Sequence, residues 1–295
     1  MNINNEEVLC IQRHIQKEVG QQRAVIAISG GIDSTVCAVL ANRVLKDIYP
    51  LYIRTGFNLD SEEKKLKELF SRLNISYETI DKRDDFFSKL SGIEDPVKRR
   101  YNFGAISLKT IKEYARSVSA GVLINGVTKE DIIVSNIITD SNERIRDVKE
   151  VMGLKLVEPL AKLHKYEIKD IAEVIGLKEL VHKQHIPGPA LSVRIAGKIT
   201  REKLQLLKDI NELINFEVMS PELWQYFPFL LNEKLDGKYI VVLRFVTSRD
   251  GLRAAANFDN SLLKKICNLV LNEFPKVGRV FFDISPKPPA TIEFM

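Results

Sequence analysis

AVIAISGGIDSTVCAVL, residues Ala24 to Leu40, places a buried-strand signal, a glycine turn and a helix start in immediate succession. Ala24–Ile28 is uniformly apolar, as a strand covered on both faces requires. Ser29-Gly30-Gly31 breaks that run, and Asp33-Ser34-Thr35 leads into Val36, Val39, Leu40, Val44 and Leu45 at helical spacing. Glycine lets the backbone turn sharply and approach a ligand closely. The unpaired N–H groups of the first helical turn then face an anion at the positive end of the helix dipole. Phosphate is therefore the expected ligand, with Ser29, Gly30, Gly31, Ile32, Asp33, Ser34 and Thr35 as its candidate contacts. The competing reading is a plain strand-to-helix turn with Asp33 or Ser34 as N-cap. No lysine follows the glycines as GxxxxGK[ST] demands, and their spacing is not that of GxGxxG.

The chain has 295 residues, 45% hydrophobic and 28% charged, with a net charge of +5 from 44 basic and 39 acidic side chains. That is enough for one large core, or for a medium and a small domain. No apolar run approaches the roughly 20 residues that span a bilayer, so no membrane association is expected. MNINNEEVLC lacks the basic start and apolar core of a secretory leader, and a cytoplasmic protein is expected. The mild positive charge suits nucleotide ligands without calling for a nucleic-acid groove. Cys10, Cys37 and Cys267 are distant, odd in number and free of any CxxC, which argues against a disulfide framework or zinc site. Cys37 is read as packing. His164, His182 and His185 share a region but show no metal-ligand spacing.

Further along, residues 5–19 pattern as an entry helix, 46–54 contain a strand, 61–73 a helix and 75–80 a short strand. The pattern then predicts a helix over 84–90, a long one from Pro96 to about Ser119, a strand at 122–125 and a helix over 165–175. This alternation predicts an α/β fold, a doubly wound parallel sheet with the glycine loop at its carboxyl edge. Lys129–Gly153 is polar and charged, readable either as a lid over the site or as a solvated insertion. The chain-bending cluster His185–Ala190 marks an expected boundary between domains of 1–186 and 187–295. Helices over 200–212 and 260–273 and strands over 239–246 and 279–284 predict a small α+β second domain.

The stretch Ser29–Ser34 resembles the SGGxDS pyrophosphate loop of the N-type ATP pyrophosphatases, which activate a carbonyl oxygen by adenylation before a nucleophile displaces AMP. Within that group the later motifs are more specific. PGPALSVR at 187–194 is similar to the PGPGLAxR segment of GMP synthetases, and KPPATIEF at 287–294 to their KPPATIEW end. Leu156–Leu160, Trp224-Gln225 and Val277–Val280 also match. The resemblance covers nearly the whole chain, and is to the ATP-pyrophosphatase subunit of two-subunit GMP synthetases. It implies ATP and Mg2+, xanthosine monophosphate (XMP) as acceptor, ammonia from a separate glutamine amidotransferase subunit, and a homodimer formed by the second domain. By the same resemblance Arg100, Gln225, Lys287, Ile292 and Glu293 contact XMP, and Asp33 and Asp131 hold the metal and are catalytic residues. Asp131 and Ser135 match the aspartate and serine of GTxxPDxIES.

The lid motif IKSHHN is represented here by Ile145-Arg146-Asp147-Val148-Lys149-Glu150, without its histidines. Arg146 takes the place of the motif's catalytic lysine in an ungapped register, with Lys149 as the rival, although arginine cannot serve as a tunable base at neutral pH. Arg54 stands for an aspartate before Thr55-Gly56, and Glu130 for the proline of GTxxPD. An XMP-aminating subunit, a related ligase with another acceptor, and a non-catalytic ATP-binding subunit are the three expectations that these differences leave.

Overall fold

The computed structural model describes residues 5–138, 153–181, 183–184, 186, 188–218, 223–248, 253–256, 259–288 and 290. They form two compact units. The first comprises the described residues of Met1–Arg54, Glu62–Asp81 and Ala105–Lys183, and the second those of Thr55–Ser61, Lys82–Gly104 and Gln184–Met295. A single division at 186/187 is the sequence expectation. The contacts add 55–61 and 82–104 to the C-terminal unit, because Arg99, Phe57 and Phe86 pack among its residues.

In the first unit five strands, β1 (Ala24–Ile28), β2 (Ile48–Arg54), β3 (Glu78–Asp81), β4 (Val122–Ile124) and β5 (Lys155–Val157), form a parallel sheet in the order β3-β2-β1-β4-β5. Its helices are α1 (Asn5–Val19), α2 (Ile32–Val44), most of α3 (Asp60–Arg72), the later part of α5 (Pro96–Ser117), α6 (Lys129–Ile138), α7 (Lys165–Val174) and the single turn α8 (Lys178–Val181). The period-2 geometry of β1 explains its all-apolar sequence. Ala24, Ile26 and Ile28 enter a core with Val36, Leu40, Leu66, Phe70, Ile168 and Ile171, whereas Val25 enters a second core with Leu51, Ile111 and Ala115. Helices thus cover both faces, and the doubly wound α/β sheet expected from the sequence is what the chain forms. Cys37 is fully buried in the first core. The order reverses between β1 and β4, and in open α/β sheets ligands bind at the carboxyl ends of strands beside such a reversal.

The second unit holds α4 (Arg83–Leu90), the start of α5, a 3-10 turn (Ala190–Arg194), α9 (Arg201–Glu217) and α10 (Asn260–Glu273). Its mixed sheet pairs β6 (Gln225–Leu235) antiparallel with β7 (Lys238–Thr247), which pairs in turn with β8 (Ala255–Ala256) and, in parallel, with β9 (Val277–Phe282). Helix α9 starts where Thr200 caps it, accepting from Lys203 N at 3.1 Å. Sequence pattern assigns nothing to 225–235, whose YFPFLL core lacks clean alternation and carries Pro228. Pro228 instead sits within the longest strand, opposite Leu243.

Candidate active site

The loop after β1 is braced from within. Gly30 has φ +79°, a conformation that favours glycine, and Gly31 is the residue that caps α2. The cap therefore lies before Asp33 and Ser34, the two residues named for it in the plain-turn reading. The Ser34 hydroxyl accepts from Ser29 N at 3.1 Å and donates to Gly31 O at 3.2 Å, while Thr35 Oγ1 donates to the same carbonyl at 2.8 Å. Ser29 Oγ accepts from Gly31 N at 3.3 Å. The hydroxyls of Ser34 and Thr35 thus hold the shape of the turn, so donation from them to a phosphate would replace bonds already made.

Three carboxyl-edge loops meet at the reversal of strand order. Gly126, just beyond β4, lies so close to the start of α2 that a Cβ there would fall 2.9 Å from Asp33 C and Ser34 N. Only glycine fits without moving one of the two backbones. Thr128 caps α6, its N–H and hydroxyl donating to Asp131 Oδ2 at 3.0 and 2.7 Å. The sequence left this segment open between a lid and an insertion, yet its first ten residues are helix, and Thr-x-x-Asp was the available signal. Ser135 lies on that helix. Residues 139–152, Arg146 and Lys149 included, lie outside the described residues.

From the start of α7, Lys165 reaches Asp33 Oδ2 at 2.5 Å and lies 3.6 Å from Asp131 Oδ2. One ammonium thus joins the two carboxylates that the sequence nominates as metal ligands and catalytic residues. Burial alone would pull Lys165 down, but Asp33, Asp131 and Glu130 together hold it above its ordinary value. The Asp33 carboxyl is pushed up by burial, against the pull of Lys165 and with the help of Asp131 and Glu130. Burial leads the shift at Asp33, whereas the neighbouring carboxylates outweigh burial at Lys165. Asp33 Oδ1 is moreover buried and without a hydrogen-bond partner. Lys169, one turn further along α7, is pulled below its ordinary value by burial and feels Asp33 as well. Lys183 donates to Gly30 O at 2.9 Å and sits 3.5 Å from Glu62.

The excess of carboxylate and the unpartnered Asp33 Oδ1 fit a further cation. No group of three or more histidine, cysteine and acidic side chains able to hold a metal forms among the described residues. Asp33 and Asp131 could take part in holding a divalent cation such as Mg2+, which needs only one or two carboxylates beside phosphate and water. Lys165, Lys183, Lys169 and Glu130 are not among the site residues that the sequence nominates. Lys165 had a signal, a basic residue opening the helix after a strand of the parallel sheet. The others had none, because only folding brings them to the loop.

The remaining candidates belong to the second unit. Arg100 lies in the first turns of α5, half-buried, next to Arg99. Asp95 caps that helix, accepting from Val97 N and Lys98 N at 2.8 and 3.0 Å, with Pro96 in its first turn. Arg99 is 1% exposed and donates to four carbonyls, Ile93, Ser192, Ile195 and Gly197, so it ties the start of α5 to the segment that resembles PGPGLAxR. Burial pulls its guanidinium down to about 10. Gln225 is fully buried at the start of β6, and Lys287 Nζ lies 5.2 Å over the ring of its neighbour Trp224. The structure thus brings the Trp-Gln and Lys-Pro-Pro motifs together. Ile292 and Glu293 lie outside the described residues. Arg54 is paired with Glu63 and Asp81.

Comparison with known proteins matches two stretches of the chain to family models. Residues 3–134 match the NAD synthase family model, and residues 211–294 the model of the GMP synthase C terminal domain. The chain is 36% identical to the B subunit of glutamine-hydrolyzing GMP synthase from Pyrococcus horikoshii over 96% of both chains, and 35% identical to its Archaeoglobus fulgidus counterpart at the same coverage. It is 37% identical to the counterpart from Methanosarcina barkeri over 95% of both. Among solved structures, NMN synthetase from Francisella tularensis superposes with a TM-score of 0.52 at 15% identity, covering 92% of this chain and 95% of that one, which supports the fold alone.

Proposed function

The chain belongs to the family of glutamine-hydrolyzing GMP synthase B subunits, and from that premise we propose that it aminates XMP to GMP at the expense of ATP. The observation that carries the reading is the meeting of the Ser29–Thr35 turn, Asp33, Asp131 and Lys165 beside the reversal of strand order. In the first step the C2 oxygen of XMP attacks the α-phosphorus of ATP, forming adenylyl-XMP and expelling pyrophosphate. Ammonia then adds at C2, AMP departs with that oxygen, and a proton is lost to give GMP.

The N–H groups of the loop and of the first turn of α2 suit the phosphate chain, and Lys165 and Lys183 supply the positive charge that a lysine-free turn lacks. Asp33 and Asp131 would hold Mg2+, which neutralises charge developing on the leaving pyrophosphate. Asp33 is kept in place from one side by Lys165, so its free oxygen is already oriented before a ligand arrives. Arg100, Gln225 and Lys287 of the second unit, with Ile292 and Glu293, are assigned to XMP, and Arg146 to the departing phosphates. Residues 1–186 are assigned to ATP chemistry and 187–295 to acceptor binding and dimerisation.

Ammonia comes from a separate glutamine amidotransferase subunit in this reading, and the working form is a homodimer in the cytoplasm. The outer edge of β9, with Phe281 46% exposed, and Ile284 just beyond it, 67% exposed, offer the apolar surface for a two-fold contact. No helix among the described residues is long and apolar enough to cross a membrane. The test is AMP formation from ATP, Mg2+, XMP and ammonium without any partner. XMP-dependent AMP is expected. AMP that depends on a different acceptor would select a related ligase, and ATP binding with no AMP a non-catalytic subunit.

A further inference from the structure

Beside the Asp33–Lys165–Asp131 cluster lies a second set of charged groups that the reaction just described does not use. Glu130, in the first turn of α6, is 4% exposed. Its carboxylate accepts from the Lys165 backbone N–H, at 3.2 Å to each oxygen, and Oε1 lies 2.8 Å from His164 Nδ1. His164 Nε2 lies 2.9 Å from Lys129 Nζ. A carboxylate on one side and an ammonium on the other fix the tautomer, with hydrogen on Nδ1 and the lone pair on Nε2. His164 also caps α7, its own N–H donating to Glu167 Oε2 at 2.6 Å, and its ring stacks on Tyr166 at 5.3 Å.

We propose that Glu130 and His164, with Lys129 behind them, are positioning residues that clamp the first residue of α7 and so hold the Lys165 ammonium on Asp33 and Asp131. The inference rests on the reading of that cluster as the ATP site. Lys165 is the first residue of α7, and its N–H has no partner inside the helix. Glu130 therefore supplies a bond that the helix cannot, from within the helix that also carries Asp131. One side chain thereby sets the spacing between the start of α6 and the start of α7, and so the spacing between Asp131 and Lys165. The motif that this segment resembles has proline at this position, which has no acceptor on its side chain. The clamp is thus a feature of this chain's own residues and not of the motif. His164 keeps the carboxylate from turning away, and Lys129 keeps the imidazole hydrogen on the nitrogen that faces Glu130.

Two variants test the clamp, read by hydrogen exchange at the Lys165 amide and by steady-state kinetics. In Glu130→Ala the Lys165 amide should exchange at least about tenfold faster while the amides of β1 are unchanged. Its kcat for AMP formation should fall about tenfold or more with KM for XMP within about twofold, because a misplaced group weakens chemistry more than acceptor binding. Glu130→Gln retains one oxygen for the Lys165 N–H, so its exchange should stay slow. With that oxygen at the Oε1 position it also accepts from His164 Nδ1, as Oε1 does in the wild type. Its kcat should therefore stay within about threefold of the wild type, a rescue by the conservative variant that Glu130→Ala does not show. Wild-type exchange and kcat in Glu130→Ala would overturn the clamp, as would a Glu130→Gln variant as impaired as Glu130→Ala. Should the wild type make no AMP from XMP, the functional reading fails on its own. Lys165 amide exchange and calorimetric ATP affinity then decide the clamp, with faster exchange and affinity about fivefold weaker in Glu130→Ala supporting it and no change in either overturning it.

Discussion

The two units bury charge in opposite ways. In the first, the Lys165 ammonium bridges Asp33 and Asp131, Glu130 lies close by on the Lys165 backbone N–H, and Asp33 Oδ1 has no partner. In the second, Arg99 is buried more deeply, and its guanidinium reaches four backbone carbonyls, while buried Arg244 is paired with Asp283. A buried polar atom left without a partner is costly, by about 1–3 kcal/mol or more when charged. It persists where something else repays it, and a ligand is the ready explanation. The satisfied arginine of the second unit reads as scaffold, the under-neutralised cluster of the first as a site.

Removing the cation breaks this contrast most severely. Lys165→Met takes the bridging ammonium from Asp33 and Asp131, so AMP formation should fall by about 10²–10³, and the unfolding free energy by about 3 kcal/mol. Adding Asp33→Asn should recover stability, measured by urea unfolding, without recovering the rate. Recovery of both would make the pair structural. Next in size is Gly126→Ala, whose methyl meets Asp33 and Ser34 backbone at 2.9 Å. The overpacking costs about 1–3 kcal/mol, and calorimetry should record ATP binding about tenfold or more weaker. Unchanged affinity would detach the loop after β4 from the ATP site.

Substitution in the second unit should act differently. Arg99→Met strips four carbonyls of their donor and should lower stability by about 2–4 kcal/mol. Its KM for XMP should rise about tenfold as the segment before Arg194 loosens, while ATP affinity stays within about twofold. Equal losses in both ligands would erase the distinction between the units. The smallest effect is alkaline. Because Lys165 is held above its ordinary 10.5, its contribution to stability is complete below that pH and is lost as pH rises through the higher folded-state value. Wild type should therefore lose about 1 kcal/mol more than Lys165→Met between pH 10 and 12 in urea titrations. Parallel curves would place the ammonium outside the carboxylate cluster.

The same contrast explains what could be read from the residues in order. The Ser29–Thr35 turn was legible because its strand, glycines and helix start are contiguous, so local geometry alone forms it. The parallel sheet was legible from its alternation of strand and helix. Of Lys165 only its place at a helix start was readable, and of Glu130 nothing, since both reach the loop only once β4 and β5 have paired beside β1. Strand β6 escaped because Pro228 and an unbroken apolar run mask the period of two, and pairing with β7 overrides both. Arg99 looked like any charge on a helix start, and its four carbonyl acceptors come from residues on both sides of that helix in sequence.

The central claim is that ATP activates the C2 oxygen of XMP in this chain. XMP carrying oxygen-18 at C2 tests it directly, with ATP, Mg2+ and ammonium supplied and the released AMP examined by mass spectrometry. The label should appear in AMP phosphate at one atom for each GMP formed. GMP produced with unlabelled AMP, or labelled XMP returned intact while ATP is consumed, would contradict it.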